Sequence, residues 1–528
     1  MLKTTRALAA LILPLAIIAW FTCRPLTPAF AVDQLDVLIV HGKVVDGSGG
    51  NPRTTDVGIR GDRIVFIGDA TQHNLTAKRI IDASGMIVAP GFIDPHTHTL
   101  GDLSDQNRKS NLPYLMQGVT AVITGNDGES ALNIGETLRK WDQQGIGTNA
   151  ILLAGFGTIR GRVLGSTDAQ PTAAQLDEMK TLVARAMDDG AFGISTGLYY
   201  APQSYAKTEE VIALSKVAAA KGGIYDTHMR DEGSYSIGLL GAISETIRIG
   251  REANIPVHIS HIKALGPDVW GQSKAAINLM KRARTDSIDI LACQYPYDAS
   301  GTSVEASLVP RWAEVGGRAE LLKRIDDPQV RPRLIAEMEA NLKRRGGADS
   351  LLITQVRDAT LLGKRLSAIA QAMNKTPVEA ALDVIKSGGA GVASFNMSEK
   401  DIERFMKNKM VVTCSDGSTG HPRKYGTFPK KLRTYVFDRK LISLPFFVRN
   451  STTLTAQWFH IPERGLIREG YFADVIVFDP KTVTDRATYE QPELLARGML
   501  YVIVNGRLAV DNGAYTGVLA GRALRRPH

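Results

Sequence analysis

Between residues 87 and 414 the chain carries short, mainly apolar runs, most of them separated by longer stretches in which apolar residues recur at helical spacing. Eight such runs stand at 87–92, 120–124, 149–154, 191–196, 223–227, 256–260, 288–293 and 411–414. A strand buried on both faces has no polar side to present. A continuous apolar run followed by an amphipathic stretch therefore predicts a parallel strand and its return helix. Eight units predict an α/β fold of the (β/α)8 barrel type. The interval before the last run is too long for one helix. From 298 to 410 it is charged and of helical period, including Arg311-Trp312 and residues 318–324, and predicts a helical insertion placed as a lid.

The two ends have a different texture. Runs at 36–40, 43–45 and 63–67 are rich in Val and Ile and separated by Gly-containing turns. Similar runs return at 473–478 and 501–504, the latter followed by the hairpin signal Asn505-Gly506. These predict a small β-sandwich assembled from residues 32–89 and 461–528, flanking a barrel over 90–460. Residues 1–31 are set apart. Lys3 and Arg6 precede the apolar run 7–23, and Ala29-Phe30-Ala31 fits a cleavage site, so they read as a secretory signal peptide. The expectation is an exported, periplasmic or secreted protein; the rival is an uncleaved signal anchor, because the run approaches the length that spans a bilayer.

Composition narrows the classes. At 44% apolar and 22% charged residues, the chain is neither disordered nor fibrous. Beyond the leader it has only Cys293 and Cys414, too few for a disulfide scaffold. The net charge of +9 falls to +6 without Lys3, Arg6 and Arg24, there being no acid in that stretch. Its basic clusters, 281–284 and 522–526, are short and lack interleaved aromatics, so no nucleic-acid partner is expected. The charge suits anionic small molecules. No oligomeric state has a signature in the sequence.

Candidate chemistry lies just after the predicted strands, where a barrel builds its active site. Asp94-Pro95-His96-Thr97-His98 follows the first, and in extended backbone His96 and His98 point to one side. Asn126-Asp127 follows the second, Thr227-His228 the fifth, His258-Ile259-Ser260-His261 the sixth and Ser415-Asp416 the eighth. Histidines and aspartates gathered at one rim form a ligand set for zinc, with manganese or iron as alternatives. A metal held there lowers the pKa of a water and polarises a carbonyl. Asp416, brought beside His96 and His98 when the eighth strand closes on the first, is the candidate general base and acid. His41, His73 and His460 lie away from strand ends and read as surface or packing residues. A competing motif is Gly193-Ile194-Ser195-Thr196-Gly197, a nucleophile-elbow pattern with Asp416 and His421 following in triad order. An elbow needs a helix straight after it, whereas Leu198–Pro202 reads as a loop.

Pro90-Gly91-Phe92-Ile93-Asp94-Pro95-His96-Thr97-His98 resembles the first-strand signature of the amidohydrolase superfamily. Segments 192–200, 227–232, 259–263 and 295–297, with Ser415-Asp416-Gly417, 421–429 and Gly470–Val475, resemble the N-acyl-D-amino-acid deacylases over essentially the whole mature chain. The resemblance implies a zinc-dependent barrel with a β-sandwich, hydrolysing the amide bond of small N-acyl-D-amino acids and carrying one or two Zn2+. Carried over, it implies tight ligands at His228, His261 and Asp127, a second position at His96 and His98, and Asp416 as catalytic acid/base and ligand. Arg423 would take the substrate carboxylate, with Tyr200, Tyr295 and His96 lining the site. One departure is that well-known members have cysteine where this chain has Asp127, a harder ligand able to bridge two ions. His258 matches no ligand position. Cyclic amides or D-dipeptides as substrates, and a serine hydrolase using Ser195, remain the alternative readings.

Overall fold

The computed structural model describes residues 34–527; the signal peptide expected over 1–31 lies outside the described residues. Eight parallel strands form the barrel: β1 (Phe92–Asp94), β2 (Val119–Thr124), β3 (Asn149–Leu152), β4 (Gly193–Gly197), β5 (Ile224–His228), β6 (Val257–Ile259), β7 (Ile290–Gln294) and β8 (Val411–Thr413). A short piece, Ala154–Gly155, prolongs β3 and pairs with β4. The ring closes at its rim, where the Asp416 amide donates to the His96 carbonyl at 3.0 Å and Thr97 bridges Gly417. All residues of β2, β4 and β5 are buried, the polar Ser195, Thr196, Asp226, Thr227 and His228 included. Inside, Ile93, Ile123, Ile151, Leu291 and Val412 pack with Trp458 and Phe459.

The first predicted run, 87–92, belongs to two different sheets. Ile87–Pro90 pairs with Val475–Phe478 and Lys43–Val44 in the sandwich, whereas β1 pairs with β2. The break falls at Gly91, where a Cβ would lie 2.1 Å from Thr120 Oγ1. Only glycine lets the chain pass that close while stepping between domains. The sandwich itself stacks a four-stranded sheet (Leu35–Val40, Asp56–Arg60, Arg63–Gly68, Ala77–Asp82) on a seven-stranded one drawn from both chain ends. Val37, Ile39, Val57 and Ile59 face Val475, Val477 and Ile503 across its core.

The segment after β7 departs from the helical expectation. Ala299–Ser303, Leu351–Val356 and Ala390–Phe395 form an antiparallel sheet, backed by helices Arg331–Arg344 and Pro377–Lys386. Leu334, Met338, Ile353, Val378, Leu382 and Val392 give this unit its own core. Two of its strands, ASGTS and AGVASF, are mostly small residues and carry little β-branched signal. The insertion also ends earlier than 410, because helix Glu399–Met406 packs on β8 and on helix Ser273–Thr285 as part of the barrel. No helix among the described residues is long and apolar enough to cross a membrane.

Candidate metal centre

The rim residues converge on Asp127. Its Oδ1 lies 3.5 Å from His96 Nε2 and 3.6 Å from His261 Nε2, and its Oδ2 lies 3.7 Å from His98 Nε2 and 3.9 Å from His228 Nδ1. His228 Nδ1 and His261 Nε2 are 3.0 Å apart. Asp416 Oδ1 sits 3.0 Å from His98 Nε2 and 3.6 Å from His96 Nε2. Four imidazoles and two carboxylates, distant in sequence, thus meet at the C-terminal ends of β1, β2, β5, β6 and β8.

Local structure aims each group. Asp127 and Asp416 occupy left-handed backbone (φ 56° and 50°) ahead of Gly128 and Gly417. A Cβ on Gly128 (φ 73°) would stand 2.0 Å from Gln203 Oε1. Gln203 holds this turn, donating from Nε2 to the Asp127 carbonyl at 2.8 Å and accepting from the Gly197 amide at 2.7 Å. Beneath the rim, the Asp94 carboxylate accepts from the His96 and Ser415 amides at 3.2 and 3.0 Å, tying β1 to β8. Asp226 accepts from Asn126 Nδ2 at 3.0 Å and Ser260 Oγ at 2.8 Å, and meets His258 Nδ1 at 2.6 Å. His258 is therefore a buried brace, packed on Trp458 and Phe459.

The donor set fits a divalent cation. Ligands about 2.0–2.1 Å from a tetrahedral zinc stand roughly 3.3 Å from one another, and the separations around Asp127 are of that size. His96 Nε2 and Asp127 Oδ1, 3.5 Å apart, are buried without a hydrogen-bond partner among the described residues, an arrangement expected of atoms reserved for a metal. Burial pushes His96 down to about 3 and His228 down to about 4, which keeps their lone pairs free at neutral pH. Burial alone would raise Asp127, but His96, His261 and His228 override it and hold the carboxyl below its usual range. Burial also opposes charge on His261, yet Asp416 and Glu232 lift it to about 10. That tendency expresses the negative field of the cluster, which a cation would satisfy.

Two contributors carried no assignment at the sequence level. Glu232 Oε1 lies 3.2 Å from His261 Nδ1, and Lys263 Nζ donates to both Glu232 oxygens at 2.7 and 2.8 Å. A carboxylate on the far nitrogen of a ligating histidine orients the ring and sets its tautomer. Their signal was spacing: Glu232 follows His228 by four residues and Lys263 follows His261 by two.

A cavity of about 410 Å3 opens above the cluster, lined by His98, Asp127, Tyr200, Tyr295, Asp416 and Arg423, with the insertion sheet as one wall. The Tyr200 ring lies 4.8 Å from that of His228, and the Arg423 guanidinium 4.8 Å over the Tyr295 ring. His96, expected also to touch substrate, is fully buried and does not line this cavity. Arg423 is likewise more engaged than expected. Nη1 is 2.7 Å from Asp416 Oδ2 and Nη2 donates to Ser418 Oγ at 3.1 Å, so the guanidinium supports Asp416 rather than standing open as a two-pronged fork. The serine-hydrolase alternative is not assembled. Ser195 lies in the interior of β4, fully buried, donating to the Gly125 carbonyl, and no helix starts directly after the strand, the next being a short 3-10 turn at Gln203–Tyr205. His421 Nε2 faces the Ala299 carbonyl at 3.1 Å and Nδ1 accepts from the Arg423 amide. His41, His73 and His460 are exposed, and Cys293 and Cys414 are buried free thiols.

Known proteins resemble this chain along nearly its whole length. The chain is 34% identical over 518 residues to a D-aminoacylase of Alcaligenes xylosoxydans xylosoxydans, covering 93% of this chain and 98% of that one. A D-aminoacylase structure described for its binuclear metal center superposes with a TM-score of 0.80 at 34% identity, covering 93% of this chain and 100% of the other. The N-acyl-D-glutamate deacylase of Bordetella bronchiseptica, solved with zinc and a phosphonate mimic of the tetrahedral intermediate, gives 0.80 at 30% identity, covering 94% and 100%. The amidohydrolase family model matches residues 79–510, a span that takes in the entire barrel and every rim donor described above. A barrel with histidines and aspartates focused on one point, sandwiched against strands from both termini, thus has a family: this chain belongs to the amidohydrolases.

Proposed function

We propose that the protein is a zinc-dependent hydrolase of N-acyl-D-amino acids, releasing a carboxylate and a free D-amino acid. The observation that carries this is the focus of four imidazoles on Asp127 at the floor of a cavity that also holds Asp416 and Arg423. The likeness to D-aminoacylase over nearly the full length supports the substrate class. His228, His261 and Asp127 would hold one zinc, and His96 and His98, across the same carboxylate, a second. Zinc there supplies Lewis-acid polarisation of the amide carbonyl and acidifies water.

The protein's own part is positioning and proton transfer. Burial works against charge on Asp416, but Arg423, His261 and His98 hold its carboxyl well below the usual range, so it enters the reaction ionised. It can take a proton from the attacking water on Oδ1. As the carbon–nitrogen bond breaks, it can give that proton to the leaving nitrogen, which departs as an amine. Arg423, whose Nε has no partner, and Tyr295 stand where the α-carboxylate of the substrate would be held. Tyr200 closes the side nearest His228. Export, read from residues 1–31, belongs to the same proposal.

The test is a panel of N-acetyl D- and L-amino acids given to the zinc-loaded enzyme. The D series should be cleaved at least about 100-fold faster, since a misplaced α-carboxylate forfeits the positioned attack. Cleavage confined to the L series would overturn the assignment.

A further inference from the structure

Four arginines in the described structure are almost wholly buried: Arg160, Arg345, Arg423 and Arg464. Three face a carboxylate, Arg160 on Glu210, Arg423 on Asp416 and Arg464 on Asp474. Arg345 is the exception. It is 2% exposed, and among the described residues no acid lies within salt-bridge distance of it. Nη1 donates to Ser394 Oγ at 3.1 Å and Nη2 to the Tyr199 hydroxyl at 3.2 Å, both neutral; Nε has no hydrogen-bond partner among the described residues, and the guanidinium lies 5.8 Å from the ring of Tyr235, also neutral. A buried guanidinium cannot shed its proton, and without a counter-ion it is strongly unfavourable.

Its location gives the burial a use. Arg345 follows helix Arg331–Arg344 of the insertion and lines the same cavity as the metal cluster. It reaches that cavity beside Tyr199, whose ring lies 5.7 Å from the ring of His228, whereas Arg423 enters beside Asp416. The cavity lining therefore includes two guanidiniums that neighbour different members of the donor cluster, Arg345 through Tyr199 beside His228 and Arg423 through Asp416. One suffices for an α-carboxylate. We propose that Arg345 is a specificity residue that binds a second carboxylate of the substrate. The preferred substrates are then doubly anionic, the extra carboxylate coming from the amino-acid side chain or from a dicarboxylic acyl group. This rests on the hydrolase reading above and narrows it.

The experiment pairs isosteric substrates on the zinc-loaded enzyme: N-acetyl-D-glutamate against N-acetyl-D-glutamine, and N-succinyl-D-alanine against N-butyryl-D-alanine. A charged member favoured by about tenfold or more in kcat/KM, chiefly through KM, is expected in one pair. The glutamate pair would identify the side chain as the source, and the succinyl pair the acyl group. In Arg345→Met the favoured ratio should fall to within about threefold of unity, and in Arg345→Lys it should recover in part. No preference in either pair of the wild-type enzyme would overturn the proposal, and that outcome needs no variant to fold. A preference that survives in Arg345→Met would overturn it too. Cleavage of the neutral members with no charge preference leaves the deacylase reading standing, whereas no cleavage of any D-substrate removes that reading and this one together.

Discussion

Asp127, His261 and Asp416 share an unusual feature: each is a non-glycine residue in left-handed backbone, at φ 56°, 32° and 50°. Such conformations are of order 1–2 kcal/mol unfavourable per residue and persist where surrounding contacts over-determine them. Here those contacts point three donors into one cavity. Asp416 bears the most weight, since it alone touches both the histidine cluster and Arg423. Asp416→Asn keeps size and most hydrogen bonds but cannot accept the proton. It should lower kcat by at least about 100-fold while bound zinc, measured by metal analysis, remains near the wild-type content. An unchanged kcat would remove Asp416 from the chemistry. Residues of this kind were legible because histidine and aspartate at a strand end have few structural reasons to be there. Glu232 and Lys263 were not, because their importance lies in touching each other and His261 from two separate loops. Arg345 was hidden for the same reason: in a charged helical stretch nothing distinguishes a buried arginine from its solvated neighbours.

Helix Arg423–Lys430 contains Pro429 and passes into a widened π-helical segment, Lys431–Asp438. Pro429 has no N–H to donate, and wider winding is a common response to a missing rung. The segment carries Lys431 inward, where Nζ donates to Thr413 Oγ1 at 2.9 Å at the end of β8. Burial pushes this amine down to about 8, with Cys414 and Cys293 opposing in part. An exposed lysine in the unfolded chain titrates near ~10.4. Between these values the unfolded chain binds a proton that the folded chain does not, so stability rises with pH there, and the burial penalty is fully present below about 8. Lys431→Met should therefore raise the melting temperature at pH 7, with the gain shrinking as pH climbs toward ~10. A variant less stable at pH 7 would show that the Thr413 contact outweighs desolvation. At this scale the barrel strands were readable from continuous apolar runs. The insertion sheet was not, because strands of Ala, Gly and Ser owe their pairing to neighbours rather than to propensity. The split at Gly91 escaped because periodicity cannot tell which of two sheets an apolar residue joins.

Across the whole molecule, barrel and sandwich are joined by a buried polar hub around Asp474. Its carboxylate meets Arg464, accepts from Asn149 Nδ2 of β3 at 3.1 Å and from the Asn505 amide at 2.8 Å, while its carbonyl accepts from Gly91 N at 2.9 Å. Asn505 Nδ2 in turn donates to Asn149 Oδ1 at 2.8 Å. One sandwich residue thereby fixes the point where the chain enters β1, a few residues ahead of His96. Asp474→Ala strands the buried Arg464 and should destabilise the fold by about 3–5 kcal/mol, read from chemical denaturation. A loss under ~1 kcal/mol would mean that the two domains are held by apolar contact alone. The two-ended sandwich was foreseeable from matching β-rich termini, but the hub was not, since Asn505-Gly506 read as a turn and nothing in the run 473–478 set Asp474 apart. If imidazoles and carboxylates from five strand ends act as one cation site, hydrolysis depends on the ion they hold. The most direct measurement is zinc content and turnover of an N-acetyl-D-amino acid on the same preparation, before chelation, after it, and after zinc is restored. At least one zinc per chain is expected, with turnover lost in step with the metal and recovered on re-addition; full turnover by the metal-stripped protein would contradict a metal-dependent reaction.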